Sequence, residues 1–230
     1  KCIGIRADGS ADKGMGHIMR CVAIAKEFRD RGIKPIFIIK KNKSVSNLLS
    51  EHDIEYIDIK SIDIYSEIEE VEKILKIIKF DYFLTDSYWL SNEYLKRLRR
   101  LSKILISIDD NSLYQYPSDI IINSNLYAKD LDYKFKNENC ITLLGTKYSI
   151  LRKEFQNINP IKIKSKVKRI LVTMGGTDIN NFTPIVLDSL LEIEDNITID
   201  VVVGSLFKCS EKLIDIARAN KNINLIFNPS

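Results

Sequence analysis

The sequence predicts an α/β fold with parallel sheets, arranged in two units. Three observations carry this expectation. Short β-branched runs alternate with segments of helical periodicity from one end of the chain to the other, glycine and polar residues cluster just after those runs, and the alternation lapses once, over residues 156–167, before it restarts. Parallel neighbours must be joined by a crossover, usually a helix, so this alternation implies a sheet covered on both faces.

In the first unit the strands are expected at Cys2–Arg6, Lys34–Ile39, Ile54–Ile59, Tyr82–Thr85, Ile104–Ile108, Ile120–Ile122 and Ile141–Leu144. Each is a short apolar or β-branched run bounded by polar residues. Between the early strands the apolar period lengthens to that of a helix, at Ile18–Arg31 (Ile18, Val22, Ala25, Phe28), Val45–His52, Ile64–Ile78 (Ile68, Val71, Leu75) and Ser91–Leu101. Residues 1–155 are therefore expected to form an N-terminal Rossmann-like domain.

The stretch 156–167 contains Asn157, Asn159 and Pro160 among lysines and carries little apolar periodicity, which reads as a linker. Alternation then resumes with strand Lys168–Met174, helix Asn180–Ile193, strand Ile197–Val203, helix Ser210–Ala219 and strand Ile223–Phe227. Residues 168–230 are expected to be a partial second domain, because a crossover helix should follow the last strand. Two such units imply a cleft between them.

The chain has 230 residues, 45% hydrophobic and 29% charged, with nine Gly and five Pro, which excludes a mainly disordered or collagenous state. The formal net charge is +4. The basic clusters at Lys40–Lys43, Lys96–Arg100 and Lys162–Arg169 read as solvated faces and a linker, so no nucleic-acid partner is expected. No apolar run reaches the ~18 residues of a membrane span, and no signal-peptide pattern opens the chain. A soluble, cytoplasmic protein is expected. Cys2, Cys21, Cys140 and Cys209 are too scattered for a zinc site or disulfide framework, so reduced thiols are expected.

In an open parallel sheet, ligands bind beyond the carboxyl ends of the strands. Arg6, Ala7, Asp8, Gly9 and Ser10 follow the first strand and lead into Gly14-Met15-Gly16-His17 at a helix start. Asp86-Ser87-Tyr88, Asp109-Asp110-Asn111 and Asn123-Ser124-Asn125 follow later strands. In the second unit Gly175-Gly176-Thr177-Asp178 occupies the same kind of position.

Glycines before a helix let a ligand approach the backbone, and the NH groups of the first turn attract an anion. The positive helix end also favours a neutral imidazole at His17, the form that accepts a proton. The residues alone are equally compatible with a histidine that only caps the helix. The segment is not a dinucleotide fingerprint, because Lys40, Lys41 and Lys43 stand where a ribose-binding acid is needed. Gly175 and Gly176 would admit a diphosphate to backbone NH groups, and Asp178 reads equally as a helix cap. The carboxylates Asp86, Asp109 and Asp110 form no evident ligand set, so neither a metal nor a cofactor is expected.

Taken together, Ile5-Arg6-Ala7-Asp8-Gly9-Ser10, Gly14-Met15-Gly16-His17-Ile18-Met19-Arg20-Cys21, Asp86-Ser87-Tyr88, Asn123-Ser124-Asn125-Leu126-Tyr127, the run Leu144–Phe155 and Gly175-Gly176-Thr177-Asp178 resemble a known family. It is that of the UDP-2,4-diacetamido-2,4,6-trideoxy-β-L-altropyranose hydrolases of pseudaminic acid biosynthesis, with the similar spore-coat polysaccharide biosynthesis proteins. The resemblance covers nearly the whole chain in order.

It implies a GT-B fold of two Rossmann-like domains, like that of the transferase that completes the lipid-linked peptidoglycan precursor. It also implies hydrolysis of a UDP-sugar to free sugar and UDP, with His17 activating water and Tyr88 beside the sugar. Asp8 would orient His17 or bond the sugar. Arg6, Gly14, Gly16, Asp86, Asn123, Asn125, Gly175, Gly176 and Thr177 are the expected substrate-binding residues. The family's closing segment would begin after Ser230. A glycosyltransferase on the same fold and a non-catalytic nucleotide-sugar-binding module are the alternative readings.

Overall fold

The computed structural model describes residues 1–9, 14–155, 158–193, 197–204, 207 and 211–227. Ser10 of the opening motif, residues 156 and 157 of the expected linker, Cys209, and the expected helix start at Ser210 lie outside the described residues. The chain divides into two compact units, one holding Met15–Asn157 together with the first strand, the other Ile158–Ser230 together with Gly14.

In chain order the first unit runs β1 (Cys2–Ala7), α1 (Gly16–Asp30), β2 (Lys34–Lys40), α2 (Lys43–Glu51), β3 (Glu55–Ile59), α3 (Ile64–Ile77), β4 (Tyr82–Asp86), α4 (Asn92–Leu101), β5 (Ile104–Ile108), β6 (Gln115–Tyr116), β7 (Ile120–Asn123), β8 (Lys134–Phe135) and β9 (Ile141–Leu144). Seven strands form one parallel sheet in the order β3-β2-β1-β4-β5-β7-β9. The first three strands step outward in one direction and β4 returns to the other side of β1. That reversal opens a crevice at the carboxyl ends of β1 and β4.

Strand alternation sends Ile3, Ile5 and Ala7 of β1, with Phe37 and Ile39 of β2, against Ile18, Cys21, Val22 and Ala25 of α1 and Val45 and Leu49 of α2. The opposite face carries Ile36, Ile38, Phe83 and Leu105 against Ile68, Val71 and Leu75 of α3 and Tyr94, Leu95 and Leu98 of α4. Burial of both faces is what a parallel sheet requires, and it explains why these strands read as continuous apolar runs.

In the first unit side chains mark three of the four α-helix starts. The Asn42 side chain accepts from the backbone NH groups of Ser44 and Val45, Asp63 and Ser66 form a reciprocal box at α3, and Ser91 accepts from Tyr94 N. At α1 the N-cap is Met15, with no side-chain cap bond and no acidic residue in the first turn.

The second unit contains β10 (Arg169–Thr173), α5 (Phe182–Leu191), β11 (Thr198–Val203), α6 (Glu211–Ala219) and β12 (Ile223–Phe227), with a parallel sheet in the order β10-β11-β12. Val172, Leu187, Ile199, Val201, Val203, Leu213 and Ile223 form its core.

Four differences from expectation have local causes. α1 opens at Gly16, two residues before its first apolar anchor. α5 begins at Phe182 instead of Asn180, because Asn181 sits in the left-handed region with φ 52°. The two-residue strands β6 and β8 pair only with each other and are too short to show alternation. After β5 the connections contain 3₁₀ turns, at Leu126–Asp130 and Thr146–Tyr148, in place of crossover helices. No helix among the described residues is long and apolar enough to cross a membrane.

Candidate functional site

The crevice of the first unit collects the polar residues that follow β1, β4, β5 and β7. His17 is the second residue of α1, and its helix runs under the sheet face that carries Ile3 and Ile5. Asp86 is the last residue of β4 and is fully buried.

His17 Nδ1 lies 2.6 Å from Asp86 Oδ1. A carboxylate can only accept, so the short contact makes Nδ1 the protonated nitrogen and leaves the lone pair on Nε2. Nε2 has no partner among the described residues. The His17 side chain is 13% exposed, so the ring is held from behind and still reaches solvent.

Arg20 stands one helical turn after His17 and shares its face of α1. Its Nε and Nη2 donate to the two oxygens of Asp86, both at 2.6 Å, in the bidentate geometry that guanidinium and carboxylate favour. Nη1 and Nη2 also reach Asp110 at 3.3 and 3.1 Å. The guanidinium therefore joins the end of β4 to the turn after β5. Burial acts to lower its pKa, and the bonds from Asp86 and Asp110 more than reverse that, raising it further above an already high value. Cys21 adds a thiol contact to Asp86 Oδ2 at 3.5 Å, and burial, followed by the charge of Asp86, pushes that thiol well above its ordinary value.

Asp110 also accepts from Tyr88 Oη at 2.6 Å and from Asn125 Nδ2 at 3.0 Å. Burial alone would raise its carboxyl, but the bonds from Arg20, Tyr88 and Asn125 win and hold it below the usual range. Burial and the Asp110 bond push the Tyr88 phenol up to about 12, so it stays a donor at neutral pH. The Tyr88 ring meets the imidazole edge to face, with centroids 4.6 Å apart, and remains 47% exposed.

Several expected site residues prove to be foundation instead of surface. Asp86 was expected to bind substrate, yet its oxygens are taken up by His17, Arg20 and Cys21. Orientation of His17, expected of Asp8, falls to Asp86. Asp8 itself pairs with Arg6 Nη2 at 2.8 Å and accepts from the Ser87 hydroxyl, which in turn accepts from Trp89 N.

Arg6 is 1% exposed and points to the face opposite α1. There its Nε and Nη2 lie 2.9 and 2.8 Å from Glu67 Oε1, which also accepts from Tyr94 Oη. Arg6 thus supports the loop after β1 from within the core. Asn123 is fully buried, accepting from Asn125 N and Asn125 Nδ2 and donating to Tyr133 Oη at 2.8 Å. Asn125 is half-buried and remains at the rim with Tyr88.

Gly16 opens α1, and a methyl group built on it or on Gly14 would meet no atom within 4 Å; Gly14 has φ 78°, which favours glycine. In the second unit Gly175, φ 70°, Gly176 and Thr177 form the turn after β10, and space beside both glycines is open. Asp178 caps α5, accepting from Phe182 N, Thr183 N and Thr183 Oγ1 at 2.8, 2.9 and 2.6 Å.

Sequence reasoning missed the roles of Arg20 and Asp110. The available signal was the three-residue spacing from His17 to Arg20 on one helix face. Among the described residues no group of three or more His, Cys, Asp or Glu is placed to hold a metal ion. A groove of about 590 Å³ lies elsewhere, between Met19, Ala23 and Lys26 of α1 and the segment Ser149–Glu154. It contains neither His17 nor Asp86, and its lining mixes Lys26 and Arg152 with Glu27 and Glu154, so the polar constellation and not this groove marks the candidate site.

No family model matches the chain. An uncharacterized protein of Methanocaldococcus jannaschii is 30% identical over 224 residues, covering 94% of this chain and 45% of that protein. The UDP-2,4-diacetamido-2,4,6-trideoxy-beta-L-altropyranose hydrolase of Campylobacter jejuni is 27% identical over 224 residues, covering 96% of this chain and 76% of the hydrolase. The spore coat polysaccharide biosynthesis protein SpsG of Bacillus subtilis is 28% identical over 182 residues, 76% of this chain and 51% of SpsG. The chain thus spans about half the length of two of these three relatives.

Among solved structures, Acinetobacter baumannii MurG aligns with a TM-score of 0.59 at 14% identity, covering 100% of this chain and 66% of MurG. A glycosyltransferase from Rickettsia africae aligns at 0.58 and 15%, covering 100% and 68%. These likenesses establish the architecture: two Rossmann-like α/β domains with parallel sheets flanked by helices, in the manner of GT-B proteins.

Proposed function

We propose that this chain acts on a UDP-linked sugar, with His17 as the general base that directs a hydroxyl onto the anomeric carbon and releases UDP. The observation that carries the reading is the 2.6 Å contact of His17 Nδ1 with buried Asp86, which leaves Nε2 to accept a proton. In the step, the oxygen of the attacking hydroxyl bonds to the anomeric carbon and its proton passes to Nε2. The bond from that carbon to the diphosphate oxygen breaks, and its electron pair leaves with UDP. Because charge spreads over the diphosphate, one base and a few anion-holding groups suffice, without the carboxylate pair of ordinary glycoside hydrolysis.

Tyr88 and Asn125, at the rim, are the groups proposed to meet the sugar. Gly14 and Gly16 are proposed to admit it to the backbone, and Gly175, Gly176 and Thr177 are the second unit's candidates for phosphate oxygens. The likeness to the Campylobacter hydrolase supports water as the attacking hydroxyl and a 2,4-diacetamido-2,4,6-trideoxy sugar as the substrate class. The likeness to MurG and the Rickettsia glycosyltransferase supports a second reading, in which an acceptor hydroxyl takes the place of water.

The test is UDP release from a panel of UDP-linked diacetamido sugars, with and without candidate acceptors, by the parent chain and by His17→Ala. Release without acceptor, cut ~100- to 10,000-fold in the variant, is the expected result. Release only with acceptor selects the transferase. Binding with no turnover in either case reduces the protein to a binding module, and near-parental turnover in His17→Ala removes the histidine from the mechanism.

A further inference from the structure

A base must accept a proton, and the surroundings of His17 make that a problem of charge. Arg20 Nη2 lies 3.1 Å from His17 Nδ1, so an imidazolium would form directly beside a permanent cation. Asp86 stands between them, but it is one charge facing two. The second carboxylate is Asp110, bound to the far side of the same guanidinium.

Asp109, the carboxylate after β5, is taken up by the Tyr116 and Tyr133 hydroxyls and by Ser112 N. Cys21 on α1 and Tyr88 after β4 are both held protonated, and Asp8 at the end of β1 is paired with Arg6. The two carboxylates and one guanidinium therefore sum to a single negative charge, and protonation of His17 brings the cluster to neutrality.

We infer that Arg20 and Asp110 are positioning residues with opposite electrostatic effects on His17. Arg20 orients Asp86 and its charge opposes that of an imidazolium, while Asp110 offsets Arg20 when the hydroxyl attacks. Neither touches the reacting atoms. The inference rests on His17 as the base of the proposed reaction, but its electrostatic content concerns the free protein and is measured there.

The chain has two histidines, so ring-nitrogen NMR in a His52→Gln background follows His17 alone. In Asp110→Asn, which keeps the shape and can still accept from Tyr88 and Arg20, the His17 titration midpoint should fall by roughly one pH unit. In Arg20→Gln it should rise by a similar amount, and Arg20→Lys should return it towards the parent. The acidic limb of kcat/KM for UDP release should move in the same directions.

A purely structural role would loosen both variants alike. Midpoints that move in the same sense, or by less than ~0.3 unit in both, overturn the inference. If Arg20→Gln does not fold, Asp110→Asn decides alone, and a midpoint at or above the parent's overturns it. Opposite shifts in a parent that turns over no UDP-sugar would uphold the charge balance and defeat the functional reading instead.

Discussion

Tyr88 and His17 meet with ring centroids 4.6 Å apart and planes at 84°, so the phenol ring braces the imidazole while Asp86 holds its Nδ1. The two supports are chemically distinct. Tyr88→Phe keeps the ring contact and loses only the hydroxyl bond to Asp110, and should lower kcat/KM for UDP release less than about tenfold. Tyr88→Ala removes the contact and should cost at least about tenfold more, most of it in kcat, because a misaligned base is felt in the transition state. Equal losses in the two variants would show that the hydroxyl and not the ring is what matters.

Asp86 is buried beside one permanent cation and the histidine, so its removal takes from Arg20 its two shortest bonds and leaves Asp110 as the remaining carboxylate on the guanidinium. Asp86→Ala should destabilise the first unit by about 1–3 kcal/mol, the usual cost of leaving buried hydrogen-bond donors unsatisfied. Asp86→Asn should be milder in thermal denaturation but nearly as harmful to turnover, since an amide no longer fixes the Nδ1–H tautomer. A stable and fully active Asp86→Asn would remove the carboxylate from the mechanism.

The parts of the site that can be read in the chain are those built from neighbours. Gly14, Gly16 and His17 announce a helix start that a ligand can approach, and the strands announce themselves because both sheet faces are buried, as in Pro35–Ile39. What links distant residues is silent. Arg20 bonds Asp86 and Asp110, 66 and 90 positions away, and only the return of β4 beside β1 and of β5 beside β4 brings them together. The same blindness makes Arg6 look like a ligand-binding residue. It stands next to the last residue of β1, close in sequence to the loop, but its partner Glu67 lies on α3, beneath the opposite sheet face.

Asp178 ties the glycine turn of the second unit to α5 with three bonds from a backbone at φ 41°. Asp178→Ala loses the cap and keeps the strain, and should lower stability by about 1–2 kcal/mol. Asp178→Gly loses the same cap but relieves the strain, and should be the milder change by about 0.5–1 kcal/mol. Calorimetry of the two variants checks the order, and the reverse order would mean that the left-handed residue carries no cost.

The phenols of Tyr94 and Tyr116 are buried against carboxylates, Glu67 at 3.0 Å and Asp109 at 2.5 Å. Burial and the adjacent carboxylate raise both far above the ordinary tyrosine value, at Tyr94 against the opposing charge of Arg6. The sign of the linkage follows directly. Below the unfolded tyrosine value of about 10 both states hold the phenolic proton, and stability is unaffected by pH. Above it the unfolded chain releases protons that the folded one keeps, so stability falls as pH rises, by about 1.4 kcal/mol per unit for each such phenol. Tyr116→Phe should therefore weaken the protein at pH 7, where Asp109 loses a donor, yet flatten its decline above pH 10. Chemical denaturation measured from pH 7 to 11 checks both effects, and parallel curves for parent and variant would show that Tyr116 ionises as readily in the folded state as in the unfolded one.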